Sequence, residues 1–163
     1  METPEPPAFA SVTEAMDTAL AALSYLAAAD PAALPAQTQA ECLRGLERTD
    51  AISTAARASF LAAFTISKGY TEDADYSARA WLMHRTGITR GAAASHTAWA
   101  ARAGTHPRVV AALAAGDLSE SYGRTICAWT DKLPGDCRPA ADAILLSAAA
   151  AGMGLRAAGV TNG

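Results

Sequence analysis

The sequence predicts an all-α protein, a multi-helix bundle with a long central helix and helix–turn–helix-like hairpins. Three observations lead there. The apolar share of 51% is dominated by alanine and only 6% of residues are aromatic, so close-packed helices anchored by a few Trp, Phe and Leu residues are the expected core. Apolar residues recur three and four apart along most of the chain. Ser or Thr stands before several of these periodic segments and Gly after them, as helix caps require.

The elements follow in order. Residues 1–8, with Pro4, Pro6 and Pro7, have nothing to bury, and 1–10 are expected to be a disordered lead-in. Ser11 and Glu14 have capping-box spacing, and Val12, Met16, Leu20, Leu23 and Leu26 then mark a helix over about 12–28. Thr38 and Glu41 repeat that spacing ahead of one long helix, about 38–67, whose stripe of Leu43, Leu46, Ile52, Phe60 and Phe64 should face the core. The acidic stretch 68–76 lacks the 1-3-5 oxygen pattern of a calcium loop, so Glu72, Asp73 and Asp75 are assigned to a solvated loop or an acidic cap.

The most informative stretch is 79–104. A helix beginning near Ser77 and carrying Trp81 and Leu82 ends at Thr86-Gly87, and a second one restarts behind Ile88-Thr89 and holds Trp99. Gly87 suits a left-handed closing residue, and Thr89 can accept the free N–H groups of the next helix. Thirty residues on comes an echo: Leu118, Ser119, Trp129 and Lys132 answer Ile88, Thr89, Trp99 and Arg102. It places helices at 107–115, opened by Pro107 and closed by Gly116, and at 120–131, capped by Ser119. Leu133-Pro134-Gly135 breaks the chain before a last helix at about 138–151. One domain, 11–151, is expected, with 152–163 a loose end.

Charge is unevenly spread. The chain is −3 overall, but residues 1–78 hold 11 acids and 4 bases, and 79–124 hold 6 arginines and 2 acids, a local +4. A basic helix–turn–helix points to DNA, whose major groove takes the second helix of such a motif. Opposite Trp99 that helix carries Arg90, Ala94, Thr97 and Ala101, flanked by His96 and Arg102. Arg90 alone could fork onto guanine, so contact with the phosphate backbone is the better expectation, alongside a purely structural α-hairpin. Arg85, Arg90, Thr97, Arg102 and Arg108 are the DNA-contact candidates, with Arg79 and Arg124 adding to the field. In the echo unit the face opposite Trp129 presents Glu120 and Asp131, which would repel phosphate.

Other chemistries lack their residues. His84, His96 and His106 are 12 and 10 apart, and Cys42, Cys127 and Cys137 have no metal-like spacing. Neither a phosphate-cradling Gly loop nor a nucleophile with its own base can be picked out, so no catalytic residue, metal or cofactor is expected. Trp81, Trp99 and Trp129 read as core anchors, with a ligand-stacking box as the sharper alternative. No apolar run is long enough to span a membrane. The odd cysteine count without a leader-like N-terminus suggests reduced thiols in the cytoplasm.

The order Ser77-x-x-x-Trp81-Leu82-x-x-Arg85-Thr86-Gly87-Ile88-Thr89, followed by Ala111-Ala112-Leu113-Ala114-Ala115-Gly116-Asp117-Leu118-Ser119, resembles domain-of-unknown-function family 222, the 13E12 repeat family of actinobacteria, over roughly residues 38–156. The resemblance implies an α-helical N-terminal domain that usually precedes a C-terminal HNH endonuclease domain. No Cys-x-x-Cys knuckle or His-His or Asn-His pair of that nuclease occurs here, so none of its catalytic residues transfers. The expectation is a non-catalytic accessory module of an HNH endonuclease-like protein that touches DNA through its basic helix–turn–helix, its HNH partner domain missing because the chain is a fragment or a natural truncation. The alternatives are a protein-interaction or assembly module exposing Leu43, Leu46 or Phe60 to a second chain, and a truncated remnant without activity.

Overall fold

Local capping chemistry sets most helix ends in this protein, seen here in a computed structural model that describes residues 8–159, with side chains through 152. The described residues form α1 (Val12–Ala28), α2 (Ala36–Ile66), α3 (Ala78–Thr86), α4 (Arg90–Thr105), α5 (Pro107–Ala115), α6 (Glu120–Thr130) and α7 (Arg138–Gly159), with 3-10 turns at Pro31–Ala33 and Gly69–Asp73 and no strand among them. It is an all-α multi-helix fold. Ser11, Ser77, Thr89 and Ser119 each accept, on the side-chain oxygen, the N–H three residues on, as N-caps do. Gly87 (φ 72°) and Gly116 (φ 73°) close α3 and α5 in the left-handed region. These are the positions that the spacing of both hairpins predicts.

Three boundaries differ from expectation. α2 starts at Ala36, directly behind Pro35, and the Gln39 amide folds back onto the carbonyls of Pro31 and Leu34; Thr38 and Glu41 therefore lie inside the helix and cap nothing. α7 runs on to Gly159 where a loose end from 152 was expected. Nothing in this Ala-rich segment stops propagation, because glycine weakens a helix without the steric block of proline. The acidic stretch 68–76 is ordered around its 3-10 turn, between two left-handed residues, Lys68 and Ala74. Residues 1–7 of the predicted lead-in and the last residues, 160–163, lie outside the described residues.

The chain divides between Cys42 and Leu43 into two compact units, where one domain over 11–151 was expected. In the first unit, no residue of α1 is buried. In the second, two apolar clusters form the core. The larger joins Ala51, Ala55 and Ala58 of α2 to Trp99, Val109, Leu113, Leu118, Ile126, Cys127 and Ala149, and the smaller joins Leu61 to Ala78, Leu82 and Ala93 with Phe64, Tyr70 and Trp81 at its edge. Phe64 packs on Trp81 with ring centroids 4.7 Å apart.

The face that α2 buries is not the predicted one. Its Ala51, Thr54, Ala55, Ala58 and Leu61 turn inward, while Leu43, Leu46, Ile52 and Phe60 are exposed, Phe60 at 63%. Alanine lets neighbouring helices approach closely, so the small residues take the contact and the large ones are left outside. The same logic corrects the tryptophans. Trp99 is a core anchor at 2% exposure and Trp81 is half-buried, but Trp129 is 53% exposed. α6 turns Gly123, Ile126, Cys127 and Thr130 inward, a three-four spacing that leaves position 129 on its flank.

Candidate functional site

The sequence-derived contact residues do not form one continuous basic face. Arg85, near the end of α3, is held by the acidic stretch: its Nη2 lies 3.4 Å from Asp73 Oδ1 and donates to the Asp73 carbonyl, and its Nε lies 4.0 Å from Asp75. Asp73 also accepts from the Trp81 indole N–H, and Asp75 bonds His84 Nδ1 at 2.7 Å. The carboxylates of 68–76 thus strap α3 rather than capping its start. Arg102 lays its guanidinium 4.7 Å over the Trp99 ring, a cation–π contact. Thr97 is half-buried, and its hydroxyl lies within bonding distance of the Ala93 and Ala94 carbonyls. Arg90, opening α4, and Arg108, on α5, are exposed and form no ion pair among the described residues; Arg79 is the same. Along α4 the most exposed positions after Arg90 are Gly91, Ala98, Ala101, Gly104 and Thr105, which bring little hydrogen-bonding chemistry to base edges.

The charges predicted to face solvent on α6 are engaged instead. Glu120 Oε1 accepts the Trp99 indole N–H at 2.8 Å and pairs with Arg124 Nη2 at 2.6 Å. Asp131, just past α6, belongs to a cluster that spacing could not reveal. His106, fully buried at the start of α5, bonds Asp142 of α7 through Nδ1 at 2.7 Å and Asp131 through Nε2 at 2.8 Å. Thr130 Oγ1 lies 2.7 Å from the other Asp142 oxygen and 3.1 Å from the Ile126 carbonyl. Both imidazole nitrogens are therefore engaged by carboxyl oxygens. Asp142 is itself 2% exposed, so this is a buried hydrogen-bonded cluster tying α5, α6 and α7 together. Its partners lie 25 and 36 residues from the histidine; the one sequence signal is a lone acid within the apolar stretch of α7, at Asp142.

No protein-family model, curated protein or solved structure matches this chain.

Besides the buried cluster, the second unit carries one polar cleft of about 320 Å³ between α2, α4 and α6, lined by Glu47, Asp50, Arg57, His96, Glu120 and Arg124, with Ser and Thr hydroxyls between them. Burial, and after it the nearby Arg57 charge, lowers the His96 pKa below its ordinary value, so the ring is neutral at neutral pH and offers one donor and one acceptor. Cys127 lies on the buried face of α6, and burial pushes its thiol up to about 11, against a smaller opposing pull from Arg102. It is therefore a packing residue and not a nucleophile. Among the described residues no group of three His, Cys, Asp or Glu could hold a metal ion, and no helix is long and apolar enough to cross a membrane.

Proposed function

We propose that the chain is a non-catalytic helical assembly module, of the kind that accompanies an HNH endonuclease domain, and that it pairs with a second copy of itself through α1. One observation carries this: α1 has an apolar face, and no residue of that face is buried. Val12, Met16, Ala19, Leu23 and Leu26 alternate three and four apart, the spacing of a two-helix seam, and the four large ones are exposed.

Charge selects the pairing. Glu14 and Asp17 lie in the N-terminal half of α1, and no charge follows until Asp30. Parallel helices would set these acids beside their copies, whereas antiparallel helices lay them along the partner's uncharged half. A helix of 17 residues spans about 25 Å, so the interface is small, and the dimer is weak and concentration-dependent.

Sedimentation equilibrium from about 10 µM to about 1 mM tests the pairing. The mass should rise toward two chains, and Met16→Glu with Leu23→Glu should hold it at one chain without changing the far-ultraviolet spectrum. A constant single-chain mass in the unaltered protein, or association untouched by both substitutions, would overturn it.

The unpaired, exposed Arg79, Arg90 and Arg108 favour a second role, contact with the DNA backbone beside the turn at Gly87. Its test is fluorescence anisotropy of a labelled duplex over a salt series. Binding at about 50 mM salt that weakens as salt rises supports it, and no binding at that salt removes it.

A further inference from the structure

We propose that the cleft between α2, α4 and α6 is a binding site for a small dipolar molecule, a short peptide with both termini free, whose ammonium sits at the Glu47–Asp50 end and whose carboxylate sits at Arg57. The cleft is polarised along its length. Glu47, Asp50, Thr54 and Arg57 follow one another at three- and four-residue spacing, hence on one face of α2, and seven to ten residues of helix separate the acid end from the basic end by about 10 to 15 Å, the shorter of which an extended tripeptide spans.

At neither end is the charge already spent. Glu47 and Asp50 form no ion pair among the described residues, and the Arg57 guanidinium has only the Ser53 hydroxyl, at 3.3 Å. The opposite wall is held in place. The nearly buried Trp99 fixes Glu120 through its indole N–H and Arg124 clamps the same oxygen, leaving Glu120 Oε2 without a protein donor among the described residues. A neutral His96 beside Arg57 can hydrogen-bond a carboxylate without adding a second charge that must be balanced when the site is empty. A volume of about 320 Å³ is at the small end of the ~300–1,000 Å³ of ligand pockets, which suits two or three residues and excludes a folded partner.

Proton and nitrogen NMR of the full chain, titrated with triglycine, tests the site through the Trp99 indole N–H and the His96 ring. Triglycine should shift both saturably and raise the pH at which His96 titrates, because a carboxylate bound at Arg57 offsets the guanidinium. N-acetyl-triglycine and triglycine amide, each lacking one terminal charge, should bind at least about tenfold more weakly. Arg57→Gln should abolish the difference between triglycine and its amide, and Asp50→Asn should reduce the difference between triglycine and its acetylated form. Both side chains are exposed, so the variants should keep the unaltered melting temperature. No saturable shift up to about 20 mM triglycine, or equal binding of the capped and free peptides, would overturn the proposal. Neither result bears on pairing through α1.

Discussion

Replacing His106 by alanine should be among the most damaging single changes this fold can suffer. Asp142 is 2% exposed and would lose its 2.7 Å bond to Nδ1, keeping only the Thr130 hydroxyl, for which the Ile126 carbonyl also competes. Removing one partner of a buried hydrogen-bonded pair leaves the other's polar atom unsatisfied, which costs about 1–3 kcal/mol and more for a charged group. Domains of this size have about 5–15 kcal/mol in all. Asp131 gives the internal comparison: its side chain is 47% exposed, water can replace the lost bond, and Asp131→Asn should cost at most about 1 kcal/mol. The double variant His106→Leu, Asp142→Leu removes both polar partners together and should recover most of the single-variant loss, as apolar replacement of both members of a buried pair often does. Urea unfolding at pH 7 followed by far-ultraviolet circular dichroism measures the series. A loss under about 1 kcal/mol for His106→Ala, or a double variant weaker than the single one, would refute the reasoning.

Three further outcomes follow from the packing. At pH 8 Cys137, which is exposed, should react readily with a disulfide reagent and Cys127 only after unfolding; and because burial raises the Cys127 thiol from 9.0 to about 11, its contribution to stability is complete below pH 9 and lost as pH rises from there through 11, which an alkaline unfolding series would show. Trp99→Ala should cost about 3–5 kcal/mol in urea unfolding and Trp129→Ala less than about 1, since only the first is enclosed. Gly87→Ala should cost about 1–2 kcal/mol from its left-handed backbone alone, having open space around a new Cβ, while Gly116→Ala should cost more because that Cβ would stand 3.1 Å from Arg48 Nε and 3.3 Å from Ile52 Cδ1; melting of the two variants compares them.

What the sequence reveals of this fold is what a few neighbouring residues decide by themselves. Ser11, Ser77, Thr89 and Ser119 act within one turn, and a left-handed glycine ends a helix whatever packs on it, so the two hairpins were legible. The choice of buried face was not. In α2 it went to Ala51, Ala55 and Ala58 over Leu43 and Phe60, and in α6 to Cys127 and Thr130 over Trp129. Those choices depend on how closely neighbouring helices approach, which side-chain size alone misjudges. His106, Asp131 and Asp142 stayed hidden for a similar reason: only packing between helices distant in sequence brings them together. The cleft shares this origin, since its charges are spread over three helices and no segment carries the pattern.

The strap of Asp73 and Asp75 over α3 also sets a ceiling on how strongly the helix–turn–helix surface can respond to ionic strength. With Arg85 neutralised there, Arg124 neutralised by Glu120 and Arg102 parked on an indole, three of the six guanidiniums of residues 79–124, those of Arg79, Arg90 and Arg108, are left to displace counterions from a nucleic acid docked on the helix–turn–helix. A logarithmic plot of affinity against salt should therefore be no steeper than about −3, half of what six arginines would give, and any tighter grip on a duplex would have to come from bringing two such surfaces to it at once.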